Sequence, residues 1–341
     1  MKFTKLTIAI LSAATVFVSC NDDDDITEGR FDRAELYATS NTSSNITVYD
    51  FSDGDNPETS TLTVSGSSDN EGIFYDESND QLIFGSRTAN AVAIATGIED
   101  LIDGTATSIT PTYSSNDLSS VRSIAVSGNT IVAANNVTNE LYVYQRTGNS
   151  VTLRNTVNVD FALWEIQFVD NALYAVVDMT SDLAVFNNFL SNTADATVQP
   201  SKRITIAGIN RTHGMVYNSN DDIMILTDIG AANNDSGNTP DFASDGAFHI
   251  ISGFTNKFAG VANGGTLAVA GNQVRVSGNQ TLLGNPISAT YDSETDTIFI
   301  AERANNGGRI LGFDASANGN ATPIINNALA GASSVFFYGE D

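Results

Sequence analysis

Cysteine is almost missing from this chain. Cys20 is the only one in 341 residues, so no intrachain disulfide staples the fold and stability has to come from burial. Histidine and tryptophan are nearly as scarce: His213, His249 and Trp164 are the whole supply, which leaves a Ser–His–acid triad few ways to form. Basic residues are few as well, with 15 Lys and Arg against 40 Asp and Glu and a formal charge of −25. A field of that sign repels phosphate backbones, speaks against nucleic acid as a partner, and keeps a chain soluble outside the cell. From Glu35 onward no window of about 11 to 18 residues sustains a 3.6-residue apolar period, which excludes a helical architecture. No Cys–His cluster, HExxH, Walker loop or GxSxG elbow occurs.

What the chain does have is β-strand punctuation. With 41% hydrophobic residues it can bury roughly three quarters of its unfolded surface. The stretch from Asn285 to Asp314 reads as Ile287–Tyr291, a turn, Thr297–Ala301, a turn, and Arg309–Phe313. β-Branched and aromatic residues fill the runs, and Asp, Asn, Ser and Gly fill the gaps.

The same unit recurs, as an array of blades requires. Candidate innermost strands are Gly72–Tyr75, Arg122–Val126, Glu165–Phe168, Gly214–Tyr217, Ile287–Tyr291 and Ser333–Tyr338, whose starts lie 50, 43, 49, 73 and 46 residues apart. Most of these intervals fall near the ~40–50 residues of one propeller blade. The chain begins with a pair, Leu36–Thr39 and Asn45–Phe51, that lacks an innermost strand, and it ends with Ser333–Tyr338, an innermost strand that lacks followers. Joined, they complete one blade and close a ring without exposed sheet edges. The expectation is an all-β, six-bladed propeller; an extra pair, Thr266–Ala270 and Gln273–Ser277, keeps seven blades open. Ala95–Ile102 is the best candidate for a short helix.

Ile298 to Phe313, IFIAERANNGGRILGF, resembles the strand–turn–strand of NHL, YVTN and gluconolactonase-like propellers. The likeness is architectural, since such blades host enzymes, binders and scaffolds alike.

The N-terminus reads as a targeting segment. Lys2 and Lys5 precede an apolar run from Leu6 to Val18 that is too short and wrongly flanked for a spanning helix. Phe17-Val18-Ser19-Cys20 resembles the bacterial lipobox, with Phe17 in place of the usual Leu, and Asn21 to Asp25 resembles the surface-export tag of Bacteroidetes-type lipoproteins. The resemblance implies a signal over residues 1–19, a lipid on Cys20, an acidic tether over 20–34, a propeller over 35–341, and an outer-membrane surface location. The residues alone read as an extended, solvated linker.

In propellers of this type, the loops that enter the innermost strands and the loops between second and third strands open on one face, around the axial channel. The entering positions here are Glu71, Arg122, Trp164 with Glu165, Arg211 with His213, and Asn285. Glu71-Gly72 resembles the opening of gluconolactonase-like enzymes, where the glutamate ligates a divalent metal. Glu71, Glu165 and His213 would then be three ligands, although His213-Gly214 and Asn285-Pro286 depart from that family's pattern. The plainer reading pairs Glu71 with Arg122 or Arg211, hydrogen-bonds His213 at the channel mouth, and wedges Trp164 between blades or leaves it as a platform for a sugar ring. The segment from Asp228 to Asp245 offers Asp228, Asn233, Asp235, Asp241 and Asp245 as oxygen ligands for calcium or, without calcium, as a solvated lid. His249 lies within a strand and reads as structural. Three readings follow: a binding module for a glycan, peptide or protein partner, a metal-dependent lactonase-like hydrolase, or a purely structural envelope protein whose channel would be packed shut by apolar side chains.

Overall fold

A computed structural model describes residues 32–54, 56–230, 241 and 244–340. The targeting segment, Cys20, the acidic run, Asn233 and Asp235 lie outside the described residues.

The continuous apolar runs are second strands, and their packing explains their composition. In Thr130–Asn135, Ile131 and Ala133 join the apolar cluster of one neighbouring sheet while Val132 and Ala134 join that of the other. A strand buried on both faces needs no polar alternation. Outer strands do alternate: Glu58–Val64 buries Ser60, Leu62 and Val64 and exposes Glu58, Thr59 and Thr63.

These strands form six sheets, a six-bladed β-propeller. From inside outward, blade 2 is Asn70–Asp76, Gln81–Ser86, Ala91–Thr96 and Thr112–Tyr113, and blade 3 is Val121–Ser127, Thr130–Asn135, Glu140–Thr147 and Ser150–Asn158. Blade 4 is Leu163–Val169, Ala172–Val177, Asp182–Phe186 and Lys202–Ile206; blade 5 is Met215–Asn218, Ile223–Asp228, Ala247–Ser252 and Val274–Ser277. Blade 6 is Pro286–Asp292, Thr297–Glu302, Arg309–Asp314 and Ile325–Ala328. Blade 1 draws Arg33–Ser40, Asn45–Asp50 and Glu58–Val64 from the start of the chain and its innermost strand, Ala332–Glu340, from the end.

Arg33 pairs with Glu340, Leu36 with Phe337 and Tyr37 with Phe336, so the termini close the ring as expected. Each of the six blade interfaces holds one apolar cluster; the interface of blades 6 and 1 packs Phe51, Phe299 and Ile310 against Leu36 and Val335. Stacking hides faces that no single sheet could bury.

Two expectations are corrected. The pair near residues 266–277 is not a seventh blade: Thr266–Leu267 adds in parallel to Lys202–Ile206 of blade 4, and Val274–Ser277 is the outer strand of blade 5. Ala106–Ile109 and Ala196–Thr197 likewise cover the outer edges of blades 1 and 3, each sent back from the next blade in the ring. Such pairing removes open edges. Ala95–Ile102 is not helical beyond a single turn at Glu99–Leu101, because the third strand of blade 2 runs on to Thr96. Among the described residues the α-helix is Phe254–Gly260, whose Phe254 is buried between blades 4 and 5.

The hairpin that leaves each innermost strand of blades 2 to 6 contains one left-handed residue: Asp80, Gly128, Asp170, Asp222 or Asp296. Asp and Gly are the residues that tolerate this conformation. In blades 2, 5 and 6 the same aspartate also accepts a hydrogen bond from a tyrosine hydroxyl five residues earlier, Tyr75, Tyr217 or Tyr291. This Tyr-x4-Asp clasp repeats with the blade.

Closure should carry measurable stability. Leu36→Ala removes a fully buried side chain from the closing blade and is expected to lower unfolding stability by about 2–5 kcal/mol, as read by urea denaturation. Deleting residues 332–341 uncovers the edge of Arg33–Ser40 and should yield an associating chain without a cooperative transition. A monomer with an unchanged midpoint would count against the closed ring.

Candidate functional site

Glycine sets the geometry of the channel mouth. At Gly72, in a left-handed conformation with φ of 80°, an added Cβ would come within 2.8 Å of the Ile124 nitrogen; at Gly214 it would come within 2.7 Å of Ser288 Cα. Neighbouring innermost strands thus touch where only glycine fits, and the preceding Glu71 and His213 are delivered to a common opening.

A cavity of about 210 Å³ sits there, lined by Asn41, Glu71, Arg87, Arg122, Trp164, His213, Asn285, Ile287 and Arg303. Five of these, Glu71, Arg122, Trp164, His213 and Asn285, were expected from the loops entering the innermost strands. Asn41, Arg87 and Arg303 were missed. Each directly follows the second strand of its blade, after Ser40, Ser86 and Glu302. That register recurs once per blade.

Glu71 is buried and its Oε2 accepts from Nη1 of Arg122 at 3.0 Å and from Nη1 of Arg87 at 3.2 Å. Burial pushes its carboxyl above the ordinary range, and the two guanidiniums pull it back. The pairing with Arg122 is the one expected; Arg87 replaces Arg211 as the second partner. Arg211 instead donates from Nε to Asp178 Oδ1 at 2.8 Å.

Trp164 stacks on His213, with ring centroids 3.4 Å apart and planes 5° from parallel, and Arg122 Cζ lies 4.4 Å from the indole centroid. The indole is 8% exposed, so its rings are occupied by protein and do not form an open platform for a sugar. His213 Nε2 lies 3.5 Å from Asp178 Oδ1, too long for a full hydrogen bond, and Nδ1 has no partner among the described residues. Burial lowers the His213 pKa to about 4, so the ring is neutral at pH 7. Burial pushes the Asp178 carboxyl up, yet His213, Arg211 and Asn136 hold it well below the usual carboxylate range.

Glu165 does not join the mouth. It borders a second cavity of about 200 Å³ within the channel, among Ile73, Ile124, Ile166, Val335 and Phe336. Solvent reaches part of the side chain through that cavity, but protein surrounds it, and Ser123 Oγ donates to its carboxylate. Burial raises its pKa to about 8, with the Ser123 and Ser288 hydroxyls offsetting part of the rise. The expected metal trio therefore does not assemble: Glu71 is held by two arginines, Glu165 by a serine in another cavity, and among the described residues no three His, Cys, Asp or Glu side chains are grouped to hold a metal.

The calcium reading of the long segment also loses its anchor. Asp228 is fully buried, caps the backbone N–H groups of Asn210, Arg211 and Gly230, and pairs with Arg275 at 2.8 Å. Asp241 and Asp245 bond one another through a local turn, and Asp235 lies outside the described residues. His249 is structural as expected, bonded to Gln273 and Arg275.

No family model matches the chain, and no curated protein does. Solved structures resemble it in fold. The nidogen/laminin complex structure superposes with a TM-score of 0.60 at 11% identity, covering 89% of this chain and 98% of that one. A Bacteroides uniformis structure carrying the name "putative 6-phosphogluconolactonase" gives 0.53 at 9% identity, covering 89% and 84%. The WD40 propeller domain of Doa1 gives 0.52 at 10% identity, covering 89% and 86%. At these identities the likeness establishes a β-propeller.

The buried titratable groups set a pH dependence. A histidine held neutral in the fold costs stability once the unfolded chain can bind a proton, so His213 and His249, both lowered to about 4, weaken the fold as pH falls from about 6.5 toward 4. Glu165 acts in the opposite sense: its contribution is full below pH 4.5 and is lost as pH rises toward about 8. Glu165→Gln is therefore expected to flatten the decline of the urea midpoint between about pH 7.5 and 8, where few histidines of the unfolded chain still bind a proton. An identical decline in the variant would contradict this assignment.

Proposed function

We propose that this chain is a lipid-anchored envelope propeller that works as a binding module and seats a small polar ligand, or the terminal unit of a longer one, at the channel mouth. The observation that carries the reading is the cavity itself, to which blades 1, 2, 3, 4 and 6 and the loop entering blade 5 each contribute a side chain. Convergent polar groups on a rigid scaffold are the usual make-up of a binding site. At about 210 Å³ the cavity falls below the roughly 300–1,000 Å³ of drug-sized pockets, which suits a single ring. The carboxylate a hydrolase would use is engaged, Glu71 with two guanidiniums, and the His213 ring is covered by Trp164. The lactonase reading draws on the name of one fold neighbour, and the ungrouped metal trio weighs against it.

Anchoring rests on the lipobox-like Phe17-Val18-Ser19-Cys20 and the acidic run behind it. Cys20→Ala is expected to move the protein from the membrane to the soluble fraction on cell fractionation; unchanged membrane association would contradict a lipid on that sulfur.

Trp164 supplies a built-in reporter for the ligand. It is the only tryptophan and it borders the cavity, so a ligand seated at the mouth changes the emission of the intact protein. Glycan and peptide arrays should return a ligand that shifts this fluorescence on titration. Ligands that bind without altering it would move the site elsewhere, and arrays with no hit would contradict the binding reading.

A further inference from the structure

We infer that the mouth recognises an oxyanion, a carboxylate or phosphate group borne by a small hydroxylated ligand, through Arg87, Arg122 and Arg303. The inference rests on the binding reading above and specifies the chemistry of the same cavity.

The first observation is a charge reversal. The protein carries −25 overall, yet its mouth cavity gathers three of its 15 Lys and Arg against a single carboxylate, Glu71, with His213 neutral. At physiological salt, fields are screened within about 8 Å, so a bound group feels these arginines rather than the distant acidic surface.

The second observation is unused donor capacity. A guanidinium has five N–H donors in a fixed fork that suits carboxylate and phosphate oxygens. Among the described residues the Arg122 guanidinium makes one hydrogen bond, to Glu71, and its Nε is buried without a partner. Arg87 is held to the same oxygen, with Asp69 at 3.6 Å. Glu71 thereby fixes two forks side by side without consuming them. The Arg303 side chain has no ion pair or hydrogen bond among the described residues and is exposed at the rim. Other acidic residues near this face already have their own arginines, Asp178 with Arg211 and Asp228 with Arg275.

A third observation points to hydroxyl groups on the ligand. Oδ1 of Asn41, Oδ1 of Asn285 and both ring nitrogens of His213, which is only 4% exposed, are buried without partners around the same cavity. Unpaired buried polar groups are costly, and ligand hydroxyls beside the anion, donating to the two amide oxygens and the bare His213 nitrogen and accepting from its N–H, would satisfy them.

The test titrates the full mature protein with glucuronate, glucose 6-phosphate, inorganic phosphate and neutral glucose at matched ionic strength, following Trp164 emission and the melting temperature. The two sugar anions are expected to bind at least tenfold more tightly than glucose, and their ratio separates a carboxylate from a phosphate preference. Binding of inorganic phosphate as tight as that of the sugar anions would mark an adventitious ion only and overturn the hydroxylated-ligand assignment. Arg303→Ala leaves the buried network intact and should weaken the anions at least tenfold while the ligand-free melting temperature stays unchanged; Arg303→Lys should restore part of the loss. Equal binding of glucose and glucuronate would overturn the oxyanion assignment and leave a binding mouth. No response to either anion up to about 10 mM, well beyond the range of even millimolar sites, would also overturn it. The arrays described above would then decide the binding reading separately.

Discussion

One antiparallel pairing holds the rest of the structure in place: Arg33–Ser40 against Ala332–Glu340, the first strand of the described chain against the last. Every other innermost strand is followed in sequence by its own second strand, so those blades can form locally. Blade 1 alone recruits its centre from the far end of the polypeptide, and only when it does so do all six innermost strands contact their neighbours around the axis. Loop-closure entropy makes this non-local pairing the costliest contact of the ring to form.

The mouth depends on that ring and on a second, finer constraint. Residues entering the innermost strands and residues leaving the second strands end at the same level, and Gly72 and Gly214 let adjacent backbones meet where any side chain would intrude. Charges at this level are arranged rather than merely balanced. Glu71 organises Arg87 and Arg122, Arg122 lies over Trp164, and Trp164 covers His213, so carboxylate, cations and rings form one connected wall. Low dielectric around such a network strengthens each contact and makes an unpaired member expensive.

Much of the architecture was legible in the residues because blades repeat their physics. Apolar runs such as Thr130–Asn135 reveal burial on both faces, and the incomplete units at the two ends reveal the shared blade. The short Thr266–Leu267 misled because a parallel edge strand and a new blade look alike until their partners are known. At the site, the entering loops pointed to Glu71, Arg122, Trp164, His213 and Asn285, but treating Trp164 and Glu165 as one position hid their separation. Trp164 borders the mouth and Glu165 the channel cavity, and a register shift between Leu163 and Ile166 falls between them. Arg87 and Arg303 lie in loops between second and third strands, which were expected to open on this face, but nothing in those short turn segments marks the residue after the second strand as the one that reaches the mouth.

The shared blade can be tested covalently. Ala38 and Val335 face each other across the closing pair, within the Cα separation of about 4.4–6.8 Å that a disulfide spans. In a chain carrying Cys20→Ala, the double variant Ala38→Cys, Val335→Cys should oxidise within the monomer to one disulfide and lose both free thiols on titration. Persistent free thiols, or disulfides only between molecules, would contradict a ring closed by its two ends and remove the basis for a common mouth.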